Sequence, residues 1–272
     1  MAVLISGCSS GIGLETALYL RKKGYEVIAT ARGDEAVYYL KEEGFQAIHL
    51  DVNSSESINE AVAQAMMMAS DGIDVLINNA GYGQAGALED LSRECLRDQF
   101  ETNVFGLVEL TNAVLPSMRE QGYGQIINIS SVLGFVSMPF RGAYNASKHA
   151  VESISDTLRL ELANTPITVS LIEPGPIVSR FRQTCVEKAL EVIDMDKSHY
   201  KATYEKMIAE QEEPKPLPFM LSGEAVAKKI FKAMTAKRPK ARYRVTLPTY
   251  LLAILKRMLS SSLLDRILLR WS

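Results

Sequence analysis

The sequence predicts an α/β protein in which a parallel sheet is covered by helices on both faces. From the N-terminus to about residue 172, short apolar runs that favour strands alternate with stretches of helical spacing. This alternation is typical of right-handed βαβ units, which build parallel sheets. The predicted strands are residues 2–6, 26–30, 47–50, 75–78, 125–130 and 168–172, and the clearest helices are 12–23 and 92–118.

Length and composition favour one soluble globular domain. The chain has 272 residues, of which 47% are hydrophobic and 23% charged. Its net charge of −2 gives no reason to expect nucleic acid as a partner. Three scattered cysteines predict a reducing compartment without a disulfide framework, and none stands with histidines at metal-ligand spacing. This spacing predicts no metal site. Because no signal-like or spanning stretch is evident, a cytoplasmic location is expected.

The pattern changes after residue 174. Residues 180–221 are charged and rich in Met and Tyr, which indicates a lid within a domain that spans 1–240. A helix is predicted over 222–234, with Ser222 as its N-cap. Residues 241–272 are interpreted as an extension with an edge strand (240–246) and amphipathic helices. Its basic residues are compatible with peripheral membrane contact, although packing on the domain or a partner is favoured.

The first strand leads directly into a glycine-rich turn and then a helix. Glycines allow a tight turn, and the helix N-terminus offers amides and partial positive charge to a pyrophosphate. The alternative is a merely structural strand-to-helix turn. The context of strand before and helix after favours dinucleotide binding. The residues assigned to this site are Gly7, Ser9, Ser10, Gly11, Ile12 and Gly13.

Two strand ends beyond the turn bear on the choice of cofactor. Where an acid would bind a ribose 2′-hydroxyl, the second strand ends in Ala31 and Arg32. An arginine can pair with a 2′-phosphate, so NADP is predicted in preference to NAD, unless Arg32 is an ordinary surface residue. Asp51 and Val52 follow the third strand and are predicted beside the adenine. Asp51 could instead cap the next helix, although Ser54 or Ser55 suits that role better.

Tyr144 and Lys148 form the predicted catalytic pair. Four residues apart on one helix, they lie on the same face. A lysine ammonium and an oxidised nicotinamide would both lower the phenol pKa from about 10. The alternative is a pair on a solvated helix face.

Ser131 and Asn103 are the further catalytic candidates. Ser131 ends the fifth strand and would hydrogen-bond the substrate oxygen, but Ser130 competes because the two point to opposite faces. Asn103 is predicted to hold a water against Lys148. Its alternative role is a helix kink with local bonding.

Together these residues resemble the short-chain dehydrogenase/reductase family, and the resembling motifs cover roughly residues 3–180. The glycine turn, the segment Asn78-Asn79-Ala80-Gly81, the set Asn103, Ser131, Tyr144 and Lys148, and the segment from Pro174 to Ser179 match its motifs. Ser6 and Ser179 stand where Thr is usual, with the hydroxyl kept. The resemblance implies a single doubly wound (Rossmann) domain with a seven-stranded, mainly parallel sheet, and it prefers Ser131 over Ser130. It adds to the cofactor site the residues Asn78, Ala80, Gly81, Tyr144, Lys148, Pro174, Gly175, Ile177 and Ser179.

Within the family, the chain looks most like the NADP-preferring branch that holds steroid and retinol dehydrogenases and bacterial NADP-dependent aldehyde reductases. An apolar aldehyde, ketone, retinoid or steroid-like substrate is therefore expected, with hydride transfer and Tyr144 as acid or base. The alternatives are a 3-oxoacyl thioester reductase and a non-catalytic NADP-binding redox sensor.

Helices 92–118 and 144–163 carry apolar residues on more than one face, which predicts a homodimer or homotetramer. The predicted pocket residues are Tyr82, Phe135, Met138, Phe140, Phe181, Phe219 and Met220.

Overall fold

A computed structural model describes residues 1–212 and 218–270, and it contains one sheet of seven parallel strands. The order across the sheet is β3-β2-β1-β4-β5-β6-β7. The predicted strands are confirmed with shifts of one or two residues at their ends. Their bounds are β1 (Ala2–Ile5), β2 (Glu26–Ala31), β3 (Gln46–His49), β4 (Ile73–Asn78), β5 (Gly124–Ile129), β6 (Ile167–Glu173) and β7 (Arg242–Arg244).

Helices lie on both faces of this sheet. The predicted continuous helix 92–118 is wrong in one respect, because a π-helical segment, Glu101–Phe105, interrupts it. The helix bounds are α1 (Gly11–Lys22), α2 (Asp34–Glu42), α3 (Ser55–Met68), α4 (Arg93–Phe100), α5 (Gly106–Gln121), α6 (Gly142–Glu161), α7 (Phe181–Val192), α8 (Lys201–Glu212), α9 (Gly223–Met234), α10 (Leu247–Met258) and α11 (Ser261–Leu268).

Strand β1 shows why the fold needs helices on both sides. Successive side chains of a strand point to opposite faces. Val3 packs in one core with Ile230 of α9, whereas Leu4 packs in the other with Ile58 of α3 and Leu110 of α5. A strand that is buried on both faces reads as a continuous apolar run, which is how β1 appears in the sequence.

The strand order reverses between β1 and β4, because β2 lies on one side of β1 and β4 on the other. In open α/β sheets this reversal opens a crevice at the carboxyl ends of the strands, where ligands bind. The glycine turn after β1 and the Asn-Asn segment at the end of β4 both lie there. The topology therefore brings the two predicted cofactor segments together.

The predicted edge strand is part of the main sheet, since β7 pairs in parallel with β6. Its arginines form a partly buried ion cluster with acids on β6 and α6. Arg242 contacts Glu152 at 2.9 Å and Glu173 at 3.2 Å, and Arg244 contacts Glu173 at 3.0 Å. Burial raises the pKa of Glu173 to about 7, against the pull of both arginines. The division of the chain at residue 240 stays a prediction, but these bonds tie the two parts closely.

The predicted lid is helical rather than a loop. Helices α7 and α8 contribute Ala189, Ile193 and Tyr204 to a small buried cluster. The Tyr204 hydroxyl donates to Asp90 at 2.6 Å and accepts from the backbone N–H of Ala87 at 2.9 Å. Residues 213–217 of the predicted lid lie outside the described part of the chain, as do the last two residues of the tail. Ser222 does occupy the N-cap of α9, although its side chain makes no capping bond.

Helices α10 and α11 confirm the predicted amphipathic tail, and their inner faces pack against the rest of the domain. Across residues 1–212 and 218–270, no helix has the length and apolar character needed to cross a bilayer.

Candidate active site

The glycine turn after β1 has a backbone that other residues would not tolerate. Gly7 and Gly11 have positive φ angles of 74° and 58°. A Cβ on Gly13 would overlap the carbonyl oxygen of Gly7, and a Cβ on Gly7 would lie 2.8 Å from Cα of Ala80. Because the first amides of a helix have no intrahelical partner, the start of α1 faces the crevice with donors to offer.

The end of β4 holds this turn in place through Asn79, a residue that sequence reasoning quoted but did not assign. Its Nδ2 donates to the carbonyls of Ser6 (3.0 Å) and Gly7 (2.8 Å). In return, Ser6 Oγ accepts from the backbone N–H groups of Asn79 and Ala80, each at 3.0 Å. The Ser6 hydroxyl therefore does the bracing for which the family usually has Thr.

Asn78 lies in the core rather than at the crevice surface. Its Nδ2 donates to Thr111 Oγ1 and to Asn128 Oδ1, both at 2.9 Å, and Asn128 in turn donates to Ser155 at 2.8 Å. This network ties β4 and β5 to α5 and α6. Asn78 thus positions the elements of the site, and direct contact between Asn78 and a cofactor stays a prediction. Gly81 lies beside Asn103, whose Oδ1 would be 2.9 Å from a Cβ on it.

Arg32 is exposed just beyond β2, and it makes no salt bridge to any described residue. Asp51 is also at the crevice edge, where its Oδ1 accepts from the N–H of Asn53 at 3.0 Å. The N-cap of α3 is Ser54, whose Oγ accepts from the N–H of Ser57, so the preferred alternative for that role is confirmed. An arginine with no carboxylate partner remains available to an anionic group.

Val52 packs against helix α5 at a position that requires glycine. A Cβ on Gly106 would overlap the Val52 backbone. The buried Val52 therefore fixes the start of α5 next to the loop that leaves β3.

The segment after β6 forms the opposite side of the crevice. The carbonyl of Pro174 accepts from the N–H of Val132 at 2.8 Å, and Ile177 pairs with Leu221. Gly175 packs closely against the start of α10. A Cβ on Gly175 would meet the hydroxyls of Thr246, which precedes α10, and of Thr249 within it.

This segment approaches the glycine turn at Ser179. Ser179 Cβ is the nearest atom to a Cβ built on Gly11, at 3.8 Å. The Ser179 hydroxyl accepts weakly from the N–H of Phe181, at 3.4 Å. A glycine turn that leads into a helix N-terminus, together with an exposed Arg32 that has no salt bridge to a described residue, fits a dinucleotide that carries a 2′-phosphate.

Tyr144 and Ser131 meet at the centre of the site. The Ser131 hydroxyl interacts with the phenol of Tyr144, and Ser131 Oγ accepts from the N–H of Leu133 at 3.1 Å. The Ser130 hydroxyl points to the other side of the strand end, toward Glu152. The geometry therefore brings Ser131, and not Ser130, to the tyrosine.

Lys148 lies behind Tyr144, with Nζ 5.8 Å from the phenol ring centroid. Nζ donates to the carbonyl of Ile129 at 2.8 Å, and the side chain is buried. Burial lowers the pKa of Lys148 to about 8, and the charge of Glu152 opposes that shift. The ammonium is thus held in place by the end of β5.

The expected lowering of the Tyr144 pKa is not found in the protein by itself. Burial raises the pKa of the phenol above its ordinary value, and the hydrogen bond from Ser131 only partly opposes this. The physical reason is desolvation of the phenolate in an apolar environment. A phenol that keeps its proton at neutral pH is suited to be a donor.

Asn103 lies in the π-helical segment between α4 and α5, fully buried. Its Nδ2 donates to the carbonyl of Tyr82 and to Ser147 Oγ, both at 3.0 Å, while its Oδ1 accepts from the N–H of Tyr82 at 3.1 Å. The structure therefore shows the kink with local bonding, in which Asn103 ties the β4 loop to α6. A water held against Lys148 stays a prediction.

The predicted pocket residues fall into two groups. Phe135, Met138 and Phe181 pack in one cluster with Tyr144, and the Phe181 ring centroid lies 5.3 Å from that of Tyr144. Phe140 instead contacts Tyr200 edge to face, with the ring centroids 5.2 Å apart. Tyr82 is half-buried beside Asn103, and Met220 is partly buried next to the Ile177–Leu221 pair.

Phe219 is 62% exposed and has a left-handed backbone, so its contact with substrate stays a prediction. Sequence reasoning missed the other wall of the cluster, which Leu252, Leu264 and Leu268 supply from α10 and α11. Leu–Leu spacing in the tail signals an inner helix face, but no local signal says where that face packs.

These features define a class of proteins: oxidoreductases with a doubly wound dinucleotide fold and a tyrosine–lysine pair at the cleft. The family profile for short chain dehydrogenases matches residues 1–190. An uncharacterized oxidoreductase, YbbO of Escherichia coli K12, is 41% identical over 98% of this chain and 93% of its own length. Human retinol dehydrogenase 8 is 44% identical over 66% of this chain and 60% of its own.

A solved structure agrees with the sequence comparisons. The closed form of serine dehydrogenase with NADP+ superposes with a TM-score of 0.77 and 28% identity, covering 92% of this chain and 96% of the other. The protein belongs to the short-chain dehydrogenase/reductase family and is an oxidoreductase.

Proposed function

We propose that this protein is an NADPH-dependent reductase of apolar aldehydes or ketones, including retinoid-like and steroid-like carbonyls. One observation carries the proposal: the Tyr144 phenol is buried beside Ser131 among apolar side chains, and this burial raises the pKa of the phenol. A proton donor in an apolar cleft suits a neutral carbonyl substrate.

The cofactor assignment is supported by the glycine turn and by Arg32. The first amides of α1 and the turn would hold the pyrophosphate, and Ser179 lies close to the turn at Gly11. Arg32, exposed and without a carboxylate partner, would pair with the 2′-phosphate. When bound, the cofactor supplies or accepts the hydride.

Side chains of this protein donate the proton and stabilise the charges that its transfer creates. In reduction with the cofactor bound, Tyr144 Oη would give its proton to the carbonyl oxygen, which would leave a tyrosinate as the substrate becomes an alcohol. Ser131 donates to the same oxygen and stabilises its developing charge. The Lys148 ammonium stabilises the tyrosinate until a proton returns. In oxidation the same steps run backwards, with the tyrosinate as base.

The apolar wall around Tyr144 supports the substrate class. The apolar side chains that pack with Tyr144 include Phe135, Phe181 and Leu252, and the charge of Arg141 also acts on the phenol. A relative named retinol dehydrogenase agrees with an apolar substrate.

The test is an NADPH-oxidation screen with aldehydes, ketones, steroids and retinal, with NADH in parallel. We expect turnover of apolar carbonyls with NADPH. Turnover only of carrier-bound 3-oxoacyl chains would make the protein a thioester reductase instead. NADPH binding without any turnover would make it a redox-sensing module.

Arg32→Ala tests the cofactor preference. Loss of a charge-assisted pair costs about 1.5–3 kcal/mol, so the KM for NADPH should rise roughly 10- to 150-fold while the KM for NADH barely changes. Arg119→Ala, at another exposed arginine, is the matched control. Equal effects of Arg32→Ala on both cofactors would refute the assignment.

We also propose a homodimer or homotetramer, because Phe105 and Leu160 leave apolar surface exposed along the α5 and α6 side. Light scattering after gel filtration measures this directly. A monomer at micromolar concentration would contradict it.

Three free thiols agree with a reducing, cytoplasmic environment.

A further inference from the structure

We propose that the outer face of α10 docks on an anionic lipid bilayer. The occupied surface is an apolar stripe formed by Leu247, Leu251, Ile254 and Met258. These residues are 60%, 41%, 54% and 76% exposed. Their spacing of four, three and four residues places them on one side of the helix along its whole length.

The opposite side of α10 is already occupied. Thr249, Leu252 and Ala253 are buried, and Leu252 belongs to the apolar cluster around Tyr144. The stripe is therefore surplus apolar surface and not a mispacked core face. Exposed apolar rows of this kind on a basic helix are typical of helices that lie in a membrane interface.

The charge of the residues around the stripe indicates what covers it. Asp265 is the one acidic residue of the sequence after Glu224, against twelve lysines and arginines, whereas the preceding residues carry an excess of acids. Lys256 and Arg257 end α10, and Arg266 and Arg270 follow on and after α11, all exposed. Within the described residues none of these four forms a salt bridge, so their charge is not neutralised.

This charge distribution favours lipid over a second copy of the chain. A symmetric contact of stripe on stripe would bring two basic rims together with almost no acids to pair them, which is unfavourable. Anionic headgroups instead complement such a rim, while the acyl region takes the stripe.

The docking has a consequence that rests on the proposed function. The same helix faces the bilayer with its stripe and the Tyr144 cluster with Leu252. An apolar carbonyl dissolved in the membrane would then meet the cleft without crossing water.

Vesicle co-sedimentation of the full-length protein tests the proposal. Phosphatidylcholine vesicles are compared with vesicles containing phosphatidylglycerol, at about 0.1 M and 0.5 M salt, the higher concentration giving much stronger screening. We expect binding to the anionic vesicles and at least a tenfold weaker partition with neutral vesicles or high salt. Parent protein left in the supernatant with anionic vesicles would overturn the proposal.

Two variants localise the surface. Ile254→Glu, and separately the pair Lys256→Glu with Arg257→Glu, should reduce binding at least tenfold, whereas Met67→Glu on the distant α3 should not. Unchanged thermal unfolding shows that the variants fold. Binding by Ile254→Glu equal to that of the parent contradicts the proposal, as does an Ile254→Glu protein that loses a dimer present in the parent. Because vesicle binding needs no turnover, its failure is distinct from failure of the reductase assignment.

Discussion

The two walls of the cleft are built in different ways. The cofactor wall consists of main chain in fixed conformations: the glycine turn, the Asn79 brace and the start of α1. The substrate wall consists of side chains that come from the loop after β5, from α7, and from α10 and α11. One wall depends on backbone geometry that tolerates no added atom, and the other depends on the filling of space by interchangeable apolar groups.

This difference separates what is fixed from what can vary. A main-chain cradle binds the same cofactor whatever the substrate is. An apolar wall changes its shape with each side chain, so substrate choice can change without loss of the cofactor site. The comparison predicts that substitutions on the two walls have distinct readouts.

Gly13→Ala should have the largest effect on the cofactor wall. Its Cβ would overlap the Gly7 carbonyl, so the turn must shift. Overpacking costs about 1–3 kcal/mol or more, which lowers Tm by roughly 2–12 °C in a domain of this size, and NADPH binding should be lost. Gly33→Ala, where a Cβ meets no atom within 4 Å, is the control: it replaces the N-cap of α2, so Tm should fall less than with Gly13→Ala while NADPH binding is kept.

Leu264→Ala tests the substrate wall. Leu264 is buried in the Tyr144 cluster, so truncation should cost about 2–5 kcal/mol of unfolding free energy. The KM for apolar carbonyls should rise while the Kd for NADPH stays within about twofold of the parent's. Its neighbour Leu263, which is 43% exposed, is the control, and its change to Ala should cost under about 0.5 kcal/mol. An equal rise in the KM with Leu263→Ala would contradict the assignment of Leu264 to the substrate wall.

Lys148→Met should show a smaller effect that depends on pH. Burial holds the pKa of Lys148 near 8, below the value of 10.5 for the unfolded chain. Between these values the unfolded state binds more protons, so the parent gains stability as pH rises from 8 toward 10.5. The variant has no such group. The Tm of the parent minus that of the variant should therefore increase by a few degrees between pH 7 and 10, and a flat difference would contradict the burial of the ammonium.

The cofactor wall could be predicted from the sequence because each of its requirements is local. A position that needs a positive φ, or that touches a neighbouring backbone, is visible in the sequence as a glycine at a fixed spacing after a strand. The same holds for Tyr144 and Lys148, whose separation by one helical turn puts them together wherever the helix lies.

The substrate wall could not be predicted in this way. Leu252 and Leu268 reach Tyr144 only through the tertiary packing of helices more than a hundred residues away in sequence. Phe219 was assigned to the pocket from its type and position, yet it is 62% exposed and does not pack in the cluster around Tyr144. The raised pKa of Tyr144 likewise depends on burial, which follows from the whole fold.

The most direct test of the central claim is single-turnover reduction by Tyr144→Phe with NADPH prebound. The phenol is the proton donor in this account, so the rate should fall by about 10²- to 10⁴-fold, while NADPH binds within about threefold of the parent's Kd. Tyr123→Phe, at an exposed tyrosine, should react at the parent rate. A Tyr144→Phe protein that reduces an apolar carbonyl as fast as the parent would show that the proton comes from another group.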